Sequence, residues 1–146
     1  MIYTYAYPRP AITVDIIVIK NDDMDKILLI KRKNEPFKDF WALPGGFIDI
    51  EEELIESAFR ELQEETGISD IDLRQFHTYG KLGRDPRGRT VSVVYYGYLT
   101  NSNQDIKAND DAKELGWFAI GNLPALAFDH KDIISDFMEY KKSSTN

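Results

Sequence analysis

A glycine pair followed by a glutamate-rich helix constrains this chain more than any other feature. Residues 45–68 have the sequence GGFIDIEEELIESAFRELQEETGI. From Glu52 to Glu65 there is no Gly or Pro, and Glu, Leu, Ala and Gln favour a helix. Gly67 is placed to end that helix in the left-handed conformation. One face of the helix is apolar and is predicted to pack into a core; it carries Ile55, Ala58, Phe59 and Leu62.

Three glutamates lie on an adjacent arc of the same predicted helix. Glu61, Glu64 and Glu65 are three and four residues apart or adjacent in sequence, so their carboxylates are neighbours and repel one another. A generic pair of glutamates indicates only a solvated helix face. A hard divalent cation would reverse the repulsion, and Mg²⁺ typically takes one or two carboxylates together with waters and substrate phosphates.

These glutamates also stand in a fixed frame of other residues. The frame consists of Gly46, Glu52, Arg60-Glu61-Leu62, Glu64-Glu65 and Gly67-Ile68. It resembles the signature of the Nudix hydrolases at every defined position. The resemblance extends from about Tyr7 to His130. Over this range the chain is similar to the Nudix branch that holds ADP-ribose pyrophosphatases and the sensor domains of NAD-metabolism regulators. The similarity is carried there by the segments TVDIIVIK, LLIKRK, PFKDFWALPGGFID, GRDPRGRTVSVVYY, NDDAKELGWF and LPALAFDH.

The resemblance implies a reaction and a set of site residues. Nudix enzymes hydrolyse a nucleoside diphosphate linked to another group, and Mg²⁺ or Mn²⁺ neutralises charge and activates the water. The metal ligands would be the Gly45 carbonyl and the side chains of Glu61, Glu64 and Glu65. Arg60 would hold the glutamates in place, and Gly46 and Glu52 would support the site. The general base differs among branches, so Glu61 and Glu114 both remain candidates.

Basic and aromatic residues outside the frame are candidates for substrate binding. Arg84, Arg87 and Arg89 lie within six residues of one turn, and arginine can bind phosphate through two hydrogen bonds. A solvated hairpin tip explains them equally well. Arg32 ends a strand and is favoured as a surface charge. Trp41 precedes the glycine pair; we favour a core position for it over stacking on a base or ribose.

Other polar residues have less definite roles. Asp15 lies inside the apolar run AITVDIIVIK, so its carboxylate needs a partner or a strand face that opens on a cleft. The polar loop that follows residue 100 carries Asp105, Asp110 and Asp111, which could supply a further metal ligand or a base but fit plain surface charges as well. His77 fits a structural position on a strand better than a catalytic one.

The order of predicted elements indicates a mixed sheet between helices. Alternating tyrosines in residues 3–7 indicate an edge strand, one that packs on its own chain or pairs with a partner. The predicted strands then span residues 11–20, 26–33, 71–81, 91–100 and 115–120. The predicted helices span 52–65 and 129–141, with Asp129 as a candidate cap and Asp49 or Glu51 serving the first helix. The fold class is therefore α/β (α+β), a sheet sandwiched between helices, which is also the Nudix fold.

Composition limits the alternatives. With 146 residues we expect one domain, 1–146, with its own core. A net charge of −7 argues against binding of this chain alone to a nucleic-acid backbone. There are no cysteines, no apolar run long enough to span a membrane and no signal peptide, so we expect a cytoplasmic protein. A homodimer is common in the family and is one expectation here.

Two functional classes remain. The first is an enzyme that hydrolyses ADP-ribose to AMP and ribose 5-phosphate, or acts on another nucleotide sugar or an oxidised nucleoside triphosphate. The second is a non-catalytic sensor that binds ADP-ribose for a transcriptional regulator. The frame is complete, and the chain ends at Asn146 without a basic helical segment, so we expect the enzyme.

Overall fold

A mixed sheet with one helix on each face forms the body of the protein. The computed structural model describes residues 2–21, 24–100, 106 and 112–144, with the side chain of Lys113 left aside. Within these ranges the strands are β1 (Ala11–Asn21), β2 (Asp25–Arg32), β3 (Trp41–Ala42), β4 (Gly45–Phe47), β5 (Arg74–Tyr79), β6 (Thr90–Tyr98) and β7 (Ala112–Ala119). The helices are α1 (Leu54–Thr66) and α2 (His130–Ser144). The predicted fold class is confirmed.

Strand β1 is the centre of the sheet. It runs parallel to β6 from Ala11 to Ile19, and β6 pairs with β5 as an antiparallel hairpin. On its other edge β1 pairs with β4 near its start and with β2 near its end, both antiparallel. β2 continues the sheet through β3 and β7. The glycine pair in β4 is thereby held directly beside β1, opposite Val14 and Asp15.

The residues of β1 alternate between two cores. Val14, Ile16 and Val18 face the cluster that includes Ala58 and Leu62 of α1. Ile17 and Ile19 face the cluster that includes Ile133 and Phe137 of α2. A strand buried on both faces needs a continuous apolar run, which explains why this segment lacks the polar alternation of a half-exposed strand.

Helix α1 begins and ends close to its predicted bounds. It starts at Leu54, and Gly67 follows its last residue with φ 82°, the left-handed conformation predicted for it. Asp49 and Glu51, the acids expected to serve its N-terminus, precede the cap position and do not occupy it. The residue at that position is Glu53, whose N–H donates to the Glu56 carboxylate at 2.8 Å. This satisfies one of the donors that a helix start leaves open.

Two local predictions were wrong. Residues 3–7 form no strand, and their tyrosines are exposed, Tyr7 to 79%. Alternation alone does not make a strand where no neighbouring strand pairs with it. Asp129 stands directly before α2, and its carbonyl accepts the N–H groups of Asp132 and Ile133, but its carboxylate accepts hydrogen bonds from Arg84 and does not cap the helix. No helix among the described residues is long and apolar enough to cross a membrane.

Candidate active site

A cavity of about 380 Å³ opens beside the start of β1, between the glycine pair and the first turn of α2. Its wall has an acidic side and a side of mixed charge. Glu61 and Glu65 of α1 form the acidic side with Gly45 and Gly46. The mixed side is lined by Asp15, Arg32, Arg84, Asp85, Arg87, Phe128 and His130. The cavity can therefore hold an anion with its counter-cation at one end and a polar group at the other.

The glutamates reach the cavity because the glycines leave room for them. A Cβ built on Gly46 would stand 2.6 Å from the carboxylate carbon of Glu61, closer than side chains tolerate. Glu65 is 5% exposed, and its Oε1 accepts a hydrogen bond from the Gly45 N–H at 3.3 Å. The glycine pair thus lets two carboxylates of one helix approach the backbone of β4 directly.

Arg60 holds this acidic side together. Its Nε donates to both oxygens of Glu52 at 2.9 and 3.0 Å, and its Nη1 donates to Glu61 at 2.9 Å and to Glu64 at 3.3 Å. Its Nη2 donates to the carbonyl of Phe47 in β4 at 3.2 Å. One guanidinium therefore joins three acidic side chains to the strand that carries the glycines.

The same contacts set the charge of the site. Hydrogen bonds from Ser57 and then from Arg60 hold the pKa of Glu52 below its usual value. Burial raises the pKa of Glu61, and the contact with Arg60 only partly offsets this, while the charge of Glu64 adds to it. An added cation would therefore favour the ionised form of Glu61.

A divalent cation fits this side of the cavity. Glu61 and Glu65 are close enough for a hydrogen bond between their carboxyl groups to influence the pKa of Glu61. Two carboxylates that line one cavity repel each other when both are ionised, and a cation between them removes that repulsion. No three acidic or histidine side chains among the described residues form a complete metal cage. Two carboxylates with substrate phosphates nonetheless match the usual Mg²⁺ environment.

Only some of the predicted metal ligands line the cavity. Glu61, Glu65 and Gly45 all line the cavity. Glu64 does not line it; its side chain is 46% exposed and contacts Arg60. Glu114 lies on β7 opposite Lys31, is exposed and is also outside the cavity lining. Their metal and base roles stay predictions. Asp105, Asp110 and Asp111 lie outside the described residues.

Ion pairs fix two of the predicted arginines on the mixed side. Arg84 is 4% exposed in its side chain and pairs with Asp129 through Nε at 2.9 Å and Nη2 at 2.6 Å. Arg87 pairs with the buried Asp85 through Nε at 3.1 Å and Nη2 at 2.8 Å. Burial opposes ionisation of Asp85, but the hydrogen bonds from Arg87 outweigh it and hold its pKa below the usual value.

The ring of Phe128 contacts the guanidinium groups of both Arg87 and Arg32. The guanidinium carbon of Arg87 stands 4.9 Å from the ring centre of Phe47 and 5.3 Å from that of Phe128. The guanidinium carbon of Arg32 also lies over the Phe128 ring, 5.0 Å from its centre. The Nε of Arg32 donates a hydrogen bond to the Pro36 carbonyl at 2.8 Å. These stacked, hydrogen-bonded arginines are held in position before any ligand arrives.

The other predicted binding residues lie elsewhere. Arg89 donates to the Gly80 carbonyl at 2.6 Å and does not line the cavity. Trp41 packs edge-on against Phe118 at 4.8 Å between ring centres, as the favoured core interpretation predicts, and is also outside the lining. His77 is exposed on β5, away from the cavity.

Sequence reasoning missed three residues of the mixed side and anticipated Asp15 together with the three arginines, Arg32, Arg84 and Arg87. Asp15 has both features expected of it, since it accepts a hydrogen bond from Ser92 and lines the cavity. His130, Asp85 and Phe128 were not proposed. Phe128 has φ 53°, unusual for a residue with a side chain, but the sequence holds no sign of this. Asp85 could have been suspected from its place between two arginines.

Comparison with known proteins agrees with this geometry. Residues 9–137 match the family model described as the NUDIX domain. An ADP-ribose pyrophosphatase of Methanocaldococcus jannaschii is 47% identical over 135 residues, which are 92% of this chain and 77% of that protein. The ADPR responsive transcriptional repressor NtrR of Acinetobacter baylyi is 38% identical, over 88% of this chain but only 53% of the repressor.

Solved structures of NUDIX proteins are also similar to this chain. The NUDIX domain of Shewanella oneidensis NrtR, complexed with ADP ribose, superposes with a TM-score of 0.84 at 32% identity and covers 92% of this chain and 90% of its own. A bifunctional NMN adenylyltransferase/ADP ribose pyrophosphatase of Francisella tularensis, complexed with AMP and a manganese ion, gives 0.80 at 34% identity. The match there covers 93% of this chain and 43% of that one. The sequence frame, the sandwiched sheet and these matches together establish that the chain belongs to the NUDIX domain family.

Proposed function

We propose that this protein hydrolyses a nucleoside diphosphate linked to a second group, with ADP-ribose as the preferred substrate and AMP and ribose 5-phosphate as products. The observation that carries the proposal is the cavity in which Glu61 and Glu65 face the same space as the glycine pair. The similarity to an ADP-ribose pyrophosphatase over 92% of the chain supports the choice of substrate.

The residues of the acidic side have separate roles in such a hydrolysis. A bound Mg²⁺ or Mn²⁺ would neutralise the diphosphate and acidify an attacking water. Glu61 and Glu65 would hold the cation, and the hydrogen bond from the Gly45 N–H keeps Glu65 aimed at the cavity. The water oxygen forms a bond to one phosphorus as the bridging oxygen leaves with the other phosphate. Arg60 keeps the glutamates in register with β4 throughout.

Glu61 is our choice for the group that takes the proton of the attacking water. It lines the cavity, whereas the other candidate, Glu114, lies on β7 outside the lining. A general base must be within hydrogen-bond reach of the proton it removes, directly or through one water.

A second candidate function is binding without turnover. The matches to the repressor NtrR and to an NrtR NUDIX domain with ADP ribose favour it. Another nucleotide sugar or an oxidised nucleoside triphosphate is a third candidate, and a putative 8-oxo-dGTP diphosphatase of Bacillus subtilis is 31% identical. The acidic side cannot separate these substrates, because it contacts only the phosphates and their cation.

A panel of substrates separates the three. ADP-ribose, other nucleotide sugars, dinucleotides and oxidised triphosphates are incubated with the protein in Mg²⁺ or in EDTA, and the products are separated and quantified by anion-exchange chromatography. We expect ADP-ribose to give the highest kcat/KM and EDTA to abolish turnover. Tight ADP-ribose binding in calorimetry with no turnover would identify the sensor, and a preference for triphosphates would identify the third candidate.

Arg87 should contribute to substrate affinity more than to the chemical step. Its guanidinium is fixed by Asp85 at the cavity, so Arg87→Ala is expected to raise KM about tenfold and lower kcat less than threefold. Arg89→Ala is the matched control, since Arg89 contacts Gly80 outside the cavity. Steady-state kinetics of both variants test this role of Arg87. Equal increases of KM in the two variants would show that the charge of the loop acts without direct contact.

Two wider proposals and two predictions accompany the function. We propose one domain for residues 1–146, a choice supported by one sheet that carries both helices. We propose a homodimer, to be checked by light scattering with multi-angle detection. A cytoplasmic location and no binding of nucleic acid by this chain alone stay predictions, the latter supported by the net charge of −7.

A further inference from the structure

A buried histidine on the mixed side of the cavity is not used by the hydrolysis described above. His130 is the first residue of α2 and is 3% exposed, yet it lines the cavity. Its Nδ1 accepts a hydrogen bond from the Leu43 N–H at 3.0 Å. A nitrogen that accepts carries no proton, so in the neutral ring the proton is on Nε2. Burial lowers the pKa of His130, which keeps the ring neutral.

The Nε2–H of His130 points to a carboxylate that it does not reach. The nearest oxygen is Oδ1 of Asp15, at 3.6 Å, which is beyond hydrogen-bond distance. The other oxygen of Asp15, Oδ2, accepts a short hydrogen bond from the buried Ser92. Asp15 is 7% exposed and lines the same cavity. The two groups therefore face one space without a hydrogen bond between them, and a third group that enters the cavity can bridge them.

The chemistry of that third group follows from the pair. A hydroxyl oxygen can accept from Nε2–H and donate its own proton to Oδ1 at the same time. An oxygen about 2.8 Å from each atom fits a separation of 3.6 Å. A phosphate oxygen would be repelled by the Asp15 carboxylate, and a metal ion would meet the N–H of His130 instead of a lone pair.

The position of the pair places such a hydroxyl beside the diphosphate. Oδ1 of Asp15 lies against Gly45, where a built Cβ would be only 2.6 Å away. Gly45 is next to Glu65 through the hydrogen bond to its carboxylate. Arg84 lines the same part of the cavity, and its Nη1 makes no hydrogen bond within the described part of the chain. The hydroxyl would thus belong to a sugar attached directly to the phosphates.

We propose that Asp15 and His130 form a subsite that selects substrates by a sugar hydroxyl next to the diphosphate. The inference rests on the proposed hydrolysis and adds to it the part of the substrate that is recognised. Either sugar of ADP-ribose could supply the hydroxyl, the ribose of the adenosine or the terminal ribose. Because the site holds a donor and a charged acceptor, it rejects analogues that lack the hydroxyl by leaving both groups unpaired.

Asp15→Asn tests the subsite with little change of shape. Ser92 donates to Oδ2, so the amide oxygen of Asn will take that position and its NH₂ will replace Oδ1. The space then has two donors and no acceptor. We expect kcat/KM for ADP-ribose to fall about 30-fold, as for the loss of one hydrogen bond to a charged group. The methyl ester of ADP, which lacks the terminal ribose, and the 2′,3′-dideoxyadenosine analogue of ADP-ribose distinguish the two sources.

The expected result is a loss that depends on the substrate. Whichever analogue lacks the recognised hydroxyl should be cleaved equally well by wild type and Asp15→Asn, within about threefold, while the other analogue and ADP-ribose lose about 30-fold. A second variant, His130→Asn, keeps an acceptor for the Leu43 N–H and removes the Nε2 donor. It should produce the same substrate-dependent loss. His77→Asn, which changes an exposed histidine on β5, is the matched control.

Binding and stability separate the subsite from the reaction itself. Calorimetry in EDTA should show a weaker affinity of Asp15→Asn for ADP-ribose, but not for the analogue that lacks the hydroxyl. Equal losses on all substrates, or a change only in Mg²⁺ affinity, would overturn the subsite and leave the hydrolysis standing. Unchanged kinetics would also overturn it and assign the space to water. Absence of turnover in the wild type would instead refute the proposed function, whereas the calorimetric comparison would still decide the subsite.

Discussion

Glu65→Gln is expected to lower kcat by on the order of 10³-fold and to leave the fold intact. Glu65 is buried beside the cavity, and its Oε1 accepts the Gly45 N–H. The amide oxygen of Gln can accept the same hydrogen bond, so the backbone of β4 keeps its support. What is lost is the negative charge that would hold a divalent cation against the diphosphate, and several kcal/mol of transition-state stabilisation go with it.

The control for this variant is Glu139→Gln, which removes an exposed carboxylate of α2 far from the cavity. It should have wild-type kinetics. Both proteins are compared by steady-state turnover of ADP-ribose across Mg²⁺ concentrations, with circular dichroism as the check on folding. Turnover of Glu65→Gln within threefold of wild type, at every Mg²⁺ concentration, would remove Glu65 from the metal site.

Substitutions in the glycine pair should have the second large effect, and alanine at Gly45 should affect stability and activity differently from alanine at Gly46. A Cβ on Gly45 would lie 2.1 Å from the Val14 carbonyl oxygen and 2.9 Å from the Cα of Asp15. These are backbone atoms, so β1 and β4 must separate. Gly45→Ala should cost about 2–3 kcal/mol of folding free energy, or about 5–10 °C in Tm, and should abolish most activity.

Gly46→Ala should damage activity but spare stability. Its Cβ would meet only the carboxylate of Glu61, the flexible end of a side chain, at 2.6 Å. That carboxylate can move aside with little loss of stability, but it then leaves the place where it faces Glu65. We expect kcat to fall about 100-fold and Tm to change by less than about 2 °C.

Thermal unfolding and kinetics of both variants test this difference, with Gly121→Ala as the control. A Cβ on Gly121 would meet nothing within 4 Å, so that variant should match the wild type in both measurements. If Gly46→Ala kept full activity, the position of Glu61 against the glycine would not matter for catalysis. If Gly45→Ala were as stable as wild type, the close pairing of β1 and β4 would be looser than described.

The acidic side of the site could be predicted from the sequence because it is local. Glu61 and Glu65 are one turn apart on a helix, and the periodicity of the helix alone brings them to one side. Arg60 belongs to the same turn, and Gly67 ends the helix where expected. Helix geometry converts such short spacings into positions in space without any knowledge of the rest of the fold.

The mixed side could be predicted only in part, because its contacts join distant segments. Asp15 and Ser92 are 77 residues apart, and Leu43 and His130 are 87 apart. Their meeting depends on the parallel pairing of β1 with β6 and on where α2 begins. Asp15 was suspected because a carboxylate in an apolar strand requires a partner, but nothing in the sequence named Ser92 as that partner.

Short strands and misleading sequence patterns account for the remaining differences between the predicted and the observed structure. β3 and β4 contain two and three residues, too few to show a period of two, although β4 carries the glycine pair. The tyrosines of residues 3–7 show that period but pair with no strand among the described residues. The arginines of the β5–β6 turn were proposed together, yet Arg84 and Arg87 line the cavity and Arg89 does not.

The most direct test of the central claim is a crystal structure with Mn²⁺ and a non-hydrolysable ADP-ribose analogue. The anomalous signal of manganese locates the cation independently of the protein atoms. We expect a peak about 2.1 Å from carboxylate oxygens of Glu61 and Glu65, with the diphosphate as its other ligand. A cation bound elsewhere, with the nucleotide away from the glycine pair, would contradict the account.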